Sequence, residues 1–271
     1  MGLNIDYEHA PPETPAPLAS DDGLIFARKE RYRRRTLKPL VDPSRVLIFT
    51  PDRNHTRRDY TGAFRPEAQK FAELHGLDDD QIIKLDISQP HTKVGEEVIR
   101  CVGEWKPQVV VFFCHGYVGG IQLGIWSPTY RRATNASKRI FGEFLDLMAL
   151  YQNPSIVLYC CSTGDTPFGK PDTAPGAGDD SFADLVRDGL CERGARTNRV
   201  FAHVTAGHTT RNPHVKFFDG DYSPIGGTGA SYLARPGTPA FRKLAKALKT
   251  DFRFRIPFMT TGRIHELLAN S

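Results

Sequence analysis

Two uninterrupted apolar runs limit what this chain can fold into. Residues 108–114 read QVVVFFC and residues 155–160 read SIVLYC. Runs of β-branched and aromatic residues without polar alternation are strands covered on both faces, the pattern of a parallel sheet with helices above and below. Each run stops at a reactive side chain followed by small residues. The first leads into His115 and Gly116, the second into Cys161, Ser162, Thr163 and Gly164. In open α/β sheets ligands and chemistry gather at the carboxyl ends of strands. His115 and Cys161 are 46 residues apart, room for a crossover helix and a loop. They form a candidate catalytic dyad.

The rest of the chain fits the same architecture. Residues 44–50, 81–87 and 199–205 read as further strands, and residues 64–74, 92–105, 137–150 and 180–193 have apolar residues at helical spacing. The alternation predicts an α/β fold, a three-layer sandwich with a mostly parallel central sheet. Residues 1–43 read as a flexible leader containing a short basic helix at 24–38, and residues 44–271 as the folded domain. A small hairpin is expected within Ile121–Ile125. The Gly/Pro/Asp-rich stretch 164–180 reads as a long functional loop. Residues 214–239 read as mostly irregular, followed by a helix at 241–248, an edge strand at 252–259 and a terminal helix at 263–270.

Net charge is +5, with much of the excess in Arg28–Arg35. That segment reads as a solvated helix; it lacks the aromatic interleaving of a nucleic-acid platform, so nucleic acid is not an expected partner. No run reaches the roughly 18 apolar residues of a membrane helix, and the N-terminal residues lack a secretory pattern. No membrane partner and a cytoplasmic location are therefore expected. The cysteines are Cys101, Cys114, Cys160, Cys161 and Cys191, an odd number without CxxC spacing, which reads as reduced thiols rather than a disulfide framework or zinc site. His203, His208 and His214 fit no short zinc motif. No cofactor or metal is expected. Asp165, Asp179 and Asp180 suit turn and N-cap roles.

A cysteine attacks as thiolate, and a neighbouring histidine can take its proton and later protonate a leaving amine. Cys161 is the first residue beyond its apolar run and is the expected nucleophile. Cys160 is expected to pack, and Cys114 to face the core. The backbone N–H groups of Gly116 and Cys161 are placed to meet a developing oxyanion.

The two motifs, Phe113-Cys114-His115-Gly116 and Tyr159-Cys160-Cys161-Ser162-Thr163-Gly164, resemble those of the caspase-like cysteine peptidases, the group of caspases, metacaspases, separases and CHAT domains. The resemblance spans about residues 44–211. It implies a caspase-like sheet, His115 as acid/base and Cys161 as nucleophile. Caspases surround the nucleophile with Gln-Ala-Cys-Arg-Gly, which this chain does not. Metacaspases place an Asp two residues before it, where this chain has Tyr159. After the fifth strand caspases carry a glycine and then an arginine that binds a substrate aspartate; the similar segment here is Gly207-His208-Thr209-Thr210-Arg211. The resemblance thus implies Arg211 as a substrate-binding residue, a protein or peptide substrate, and activation by cleavage, calcium or a protein partner. Two readings stand beside it, a catalytically silent interaction module on the same fold and a non-peptidase thiol hydrolase.

Overall fold

The computed structural model describes residues 43–52, 62, 64–151, 153–165, 180–203 and 215–219. All lie within the unit Pro39–Ser271. The leader, Arg211, His208, His214 and the elements expected after residue 219 lie outside the described residues.

A six-stranded sheet forms the centre. Its strands are β1 (Val46–Pro51), β2 (Ile82–Leu85), β3 (Val109–Phe113), β6 (Ser155–Tyr159), β7 (Arg199–His203) and β8 (Val215–Asp219). They lie in the order β2-β1-β3-β6-β7-β8. The first five are mutually parallel, and β8 runs antiparallel to β7. Among the described residues four α-helices follow in chain order: α1 (Phe64–His75), α2 (His91–Trp105), α3 (Asn135–Ala149) and α4 (Phe182–Glu192). The expected α/β sheet is present. Most expected boundaries fall within two residues, because strand ends and first helical turns carry little pattern of their own.

Side-chain parity divides the sheet into two faces. Leu47, Phe49, Val110, Phe112, Cys114, Ile156, Leu158, Cys160, Val200 and Ala202 join one cluster with the apolar stripes of α2, α3 and α4. Those stripes are Val94, Val98 and Val102; Ile140, Phe144 and Met148; and Phe182, Val186 and Leu190, all buried. Phe49 stacks on Phe112 at 5.4 Å, and Phe112 meets Phe144 of α3 at 5.9 Å. The opposite face carries α1, whose Phe71 lies 5.9 Å from both Phe113 and Tyr159. Every residue of β3 and of β6 is buried, as the apolar runs require.

The tight hairpin expected at Ile121–Ile125 is present: the Ile121 N–H donates to the Ile125 carbonyl at 2.9 Å, and Gly120 bridges Trp126 antiparallel. It continues a second, unexpected hairpin in which β4 (Gly116–Tyr117) pairs antiparallel with β5 (Gly120–Ile121). Two expectations are corrected. Asp180 keeps its expected turn role but does not open the helix. It sits at φ 60°, and Ser181 caps α4 by accepting from the Asp184 N–H at 3.2 Å. His203 is the last described residue of β7 and has 0% exposure. Residues 215–219, expected to be irregular, form the edge strand β8.

One charged group is fully buried in this framework. Arg187 of α4 has no exposure, donates to Asp184 at 2.5 Å and to Asp188 at 2.7 Å, and lies over the Phe218 ring at 5.9 Å. Both carboxylate partners lie on α4 itself, and the cation–π contact is what ties α4 to β8.

Candidate active site

The site begins in the register of β3 with β6. Val111 lies beside Val157, Phe112 beside Leu158 and Phe113 beside Tyr159. Continued by one residue, the register sets Cys114 beside Cys160, and their sulfurs are 3.4 Å apart. Continued by two, it brings the chain to His115 and Cys161. Parity then decides the faces. Cys114 and Cys160 turn into the α2–α4 core at 0% exposure. His115 turns to the α1 face, where its ring meets Phe64, and both His115 and Cys161 are half-buried. Cys160 packs as expected, with its thiol directed to the Phe112 carbonyl at 3.5 Å. Burial, reinforced by the adjacent Cys114, pushes the Cys160 thiol well above the usual cysteine range, which suppresses its thiolate.

The imidazole of His115 has an aromatic neighbour. Phe64, the first residue of α1 and fully buried, meets the ring edge-on with centroids 4.8 Å apart. The sequence reading treats Phe64 as one more apolar helix position. Its contact with His115 is non-local, and no spacing rule reveals it.

The backbone around His115 is equally defined. The Gln122 N–H donates to the His115 carbonyl at 2.9 Å. In a trans peptide the next N–H points the opposite way from that carbonyl. The Gly116 N–H is therefore directed away from β5. Gly116 also explains its own side-chain absence: a Cβ there would run into the Cys161 carbonyl and come within 2.7 Å of the Cys160 Cβ. The two strand ends touch backbone to backbone.

The turn carrying Cys161 is held from three sides. Thr163 Oγ1 donates to the Cys160 carbonyl at 3.1 Å. The Gly164 N–H donates to the His203 carbonyl at 2.8 Å, anchoring the turn to β7. The Thr163 carbonyl accepts from Ala183 N–H at 2.9 Å, and Val118, in the His115 hairpin, accepts from Phe182 N–H at 3.1 Å. The first turn of α4 thus secures both the cysteine turn and the histidine hairpin. Ser162 adopts φ 54°, a left-handed conformation uncommon for a residue with a Cβ. Strained backbone of this kind gathers where neighbouring structure over-determines it, often beside reactive groups.

The structure therefore brings His115, Gly116 and Cys161 to one place. Arg211 is outside the described residues. Among the described residues no group of three His, Cys, Asp or Glu side chains is arranged to hold a metal, and no helix is long and apolar enough to cross a membrane. No protein-family model, curated protein or solved structure matches the chain.

Proposed function

We propose that the protein is a cysteine endopeptidase of caspase-like fold. One observation carries the reading: His115 and Cys161 lie just past the carboxyl ends of two adjacent parallel strands, with Gly116 packed against the Cys161 backbone. The strand order, with an antiparallel strand beyond β7, supports the caspase-like assignment.

The chemistry follows from the groups present. His115 accepts the proton of the Cys161 thiol, and the thiolate sulfur attacks the carbonyl carbon of the scissile bond. The carbonyl electrons move to oxygen, where the outward Gly116 N–H stabilises the negative charge; one such donor is worth about 10²–10³ in rate. The intermediate collapses to a thioester as His115 protonates the departing amine. Water, deprotonated by His115, then attacks the thioester and regenerates the Cys161 thiol. Phe64 holds the imidazole plane through the cycle. Arg211 follows β7, the neighbour of β6, and supplies a planar donor fork for a substrate carboxylate just before the scissile bond. Activation by a protein partner, calcium or chain cleavage belongs to the same reading.

The test is cleavage of a diverse peptide library by the wild-type chain, its Cys161→Ala variant and its His115→Ala variant. Both substitutions are expected to reduce turnover by about 10³-fold or more, since each removes a member of a unit that works together. Unchanged cleavage in Cys161→Ala would sink the proposal. A peptide electrophile that binds the protein without bonding to Cys161 would favour the silent interaction module. Turnover of small thioesters or esters with no peptide cleavage would favour a non-peptidase thiol hydrolase.

A further inference from the structure

The hairpin that leaves His115 leads to a basic and aromatic rim. From Trp105 through Gly142 the chain contains no Asp or Glu, yet it carries Lys106, Arg131, Arg132, Lys138 and Arg139. Arg139 is neutralised by Glu96 at 2.8 Å and Glu143 at 3.0 Å. Arg131, Arg132 and Lys138 are exposed and have no ion-pair partner among the described residues. Three exposed cations without a partner on one short stretch create a local positive potential that attracts an anionic partner.

The aromatic part of the rim is fixed in place. Trp126 and Tyr130 meet edge to face at 5.0 Å, and Trp126 lies 4.9 Å from the His91 ring. The Trp126 indole donates to the Ile121 carbonyl at 2.9 Å. The Ser127 N–H donates to the Gly119 carbonyl at 2.8 Å, and the Tyr130 Cγ lies 2.9 Å from where a Cβ on Gly119 would sit. Both rings are half-buried, so each keeps some surface for a ligand. Rigid aromatic surface beside arginine is the composition of recognition hot spots.

The rim is within reach of the reacting centre. Gly119 is four residues beyond His115, so the chain between them spans at most about 14 Å. A peptide extended from the scissile bond covers that distance in about four residues.

We propose that Trp126, Tyr130, Arg131 and Arg132 form a docking ledge for an acidic stretch of the substrate, about four residues from the bond that is cut. The assignment rests on the cysteine peptidase reading for its role, and the ledge itself on the charge and ring geometry. Arg131 and Arg132 meet the carboxylates, Lys138 adds to the attraction, and the rings take an apolar or aromatic side chain within the acidic stretch. A nucleic acid is the less favoured occupant. Three free cations neutralise few phosphates, while nucleic-acid binders that rely on the backbone engage many.

The experiment measures binding separately from catalysis. A fluorescein-labelled peptide with a glutamate run beside one tyrosine, its glutamine twin and a single-stranded oligonucleotide are titrated against the Cys161→Ala protein. The acidic peptide is expected to bind about tenfold or more tightly than its twin, with the gap closing as salt rises. Arg131→Gln with Arg132→Gln should erase the preference, and Arg131→Lys with Arg132→Lys should retain most of it. Gly119→Ala, which displaces Tyr130, should weaken both peptides. Equal affinity for the two peptides, or a preference untouched by the glutamine pair, overturns the ledge. Tighter binding of the oligonucleotide at matched salt also overturns it. An intact acidic preference in a protein that cleaves nothing would fail the peptidase reading alone.

Discussion

The sulfur of Cys114 lies 3.4 Å from that of Cys160, each at the last inward position of its strand run. The next residue on either chain, His115 or Cys161, is half-buried, and His115 meets Phe64 of α1 on the opposite face. The inward pair closes the core. Two adjacent cysteines, Cys160 and Cys161, therefore have opposite chemical environments.

That contrast is measurable by alkylation. In the native protein at pH 7–8, iodoacetamide should modify Cys161 first. Cys160 is suppressed by burial. Burial and the nearby Glu97 carboxylate push the Cys101 thiol up to about 11, and burial raises Cys191. A raised thiol pKa leaves less thiolate at neutral pH, so Cys101 labelling should climb about tenfold per pH unit until pH nears 11. Mass spectrometry of digests reads all five sites. Equal rates at Cys160 and Cys161 would contradict that contrast in burial.

Gly116→Ala should injure activity more than stability. Its methyl group meets the Cys161 carbonyl, so the strand ends must part. Overpacking of this sort costs about 1–3 kcal/mol. Displacing the oxyanion donor should cost about 10²-fold or more in turnover. Urea unfolding beside peptide turnover separates the two effects.

Phe64 offers a complementary test. Phe64→Ala should cost about 3–5 kcal/mol, because the residue is fully buried. Phe64→Leu should cost less than about 1.5 kcal/mol. It nonetheless removes the ring that meets the His115 imidazole, and kcat should fall about tenfold as the base loses its orientation. A Phe64→Leu protein with unaltered kcat would place His115 orientation elsewhere.

Arg187 should behave as a buried ion-pair member. Arg187→Ala strands Asp184, which is buried, and should cost about 3–5 kcal/mol in denaturant unfolding. Arg187→Met fills the space but leaves the same carboxylate. The Arg187→Met, Asp184→Leu double variant should recover most of the loss. Failure of that recovery would mean the ion pair is more than a charge balance.

The strands flanking the site were legible because β3 and β6 are buried on both faces, so burial wrote itself into every position. The edge strand β8 was not. Its Val215-Lys216-Phe217-Phe218-Asp219 mixes charge with aromatics, and it pairs on one side only, with β7. The β4–β5 hairpin after His115 was missed for a different reason: its strands are two residues each, Gly116–Tyr117 and Gly120–Ile121, too short for any pattern to show. His115 and Cys161 could be nominated from chain position alone. Phe64, the left-handed Ser162 and the shared anchoring by α4 could not, since each depends on segments far apart in sequence.

That anchoring has a mechanical consequence. Cys161 and His115 both precede residues 166–179, whereas Phe182, Ala183 and His203, whose backbones hold their turns, all follow them. If the chain were severed between residues 166 and 179, both reacting groups would remain on one fragment and their supports on the other. The parallel pairing of β6 with β7 would become an interface between two polypeptides. Reactivity would then track reassociation of the fragments, and diluting the nicked protein would switch the site off without altering a single reacting atom.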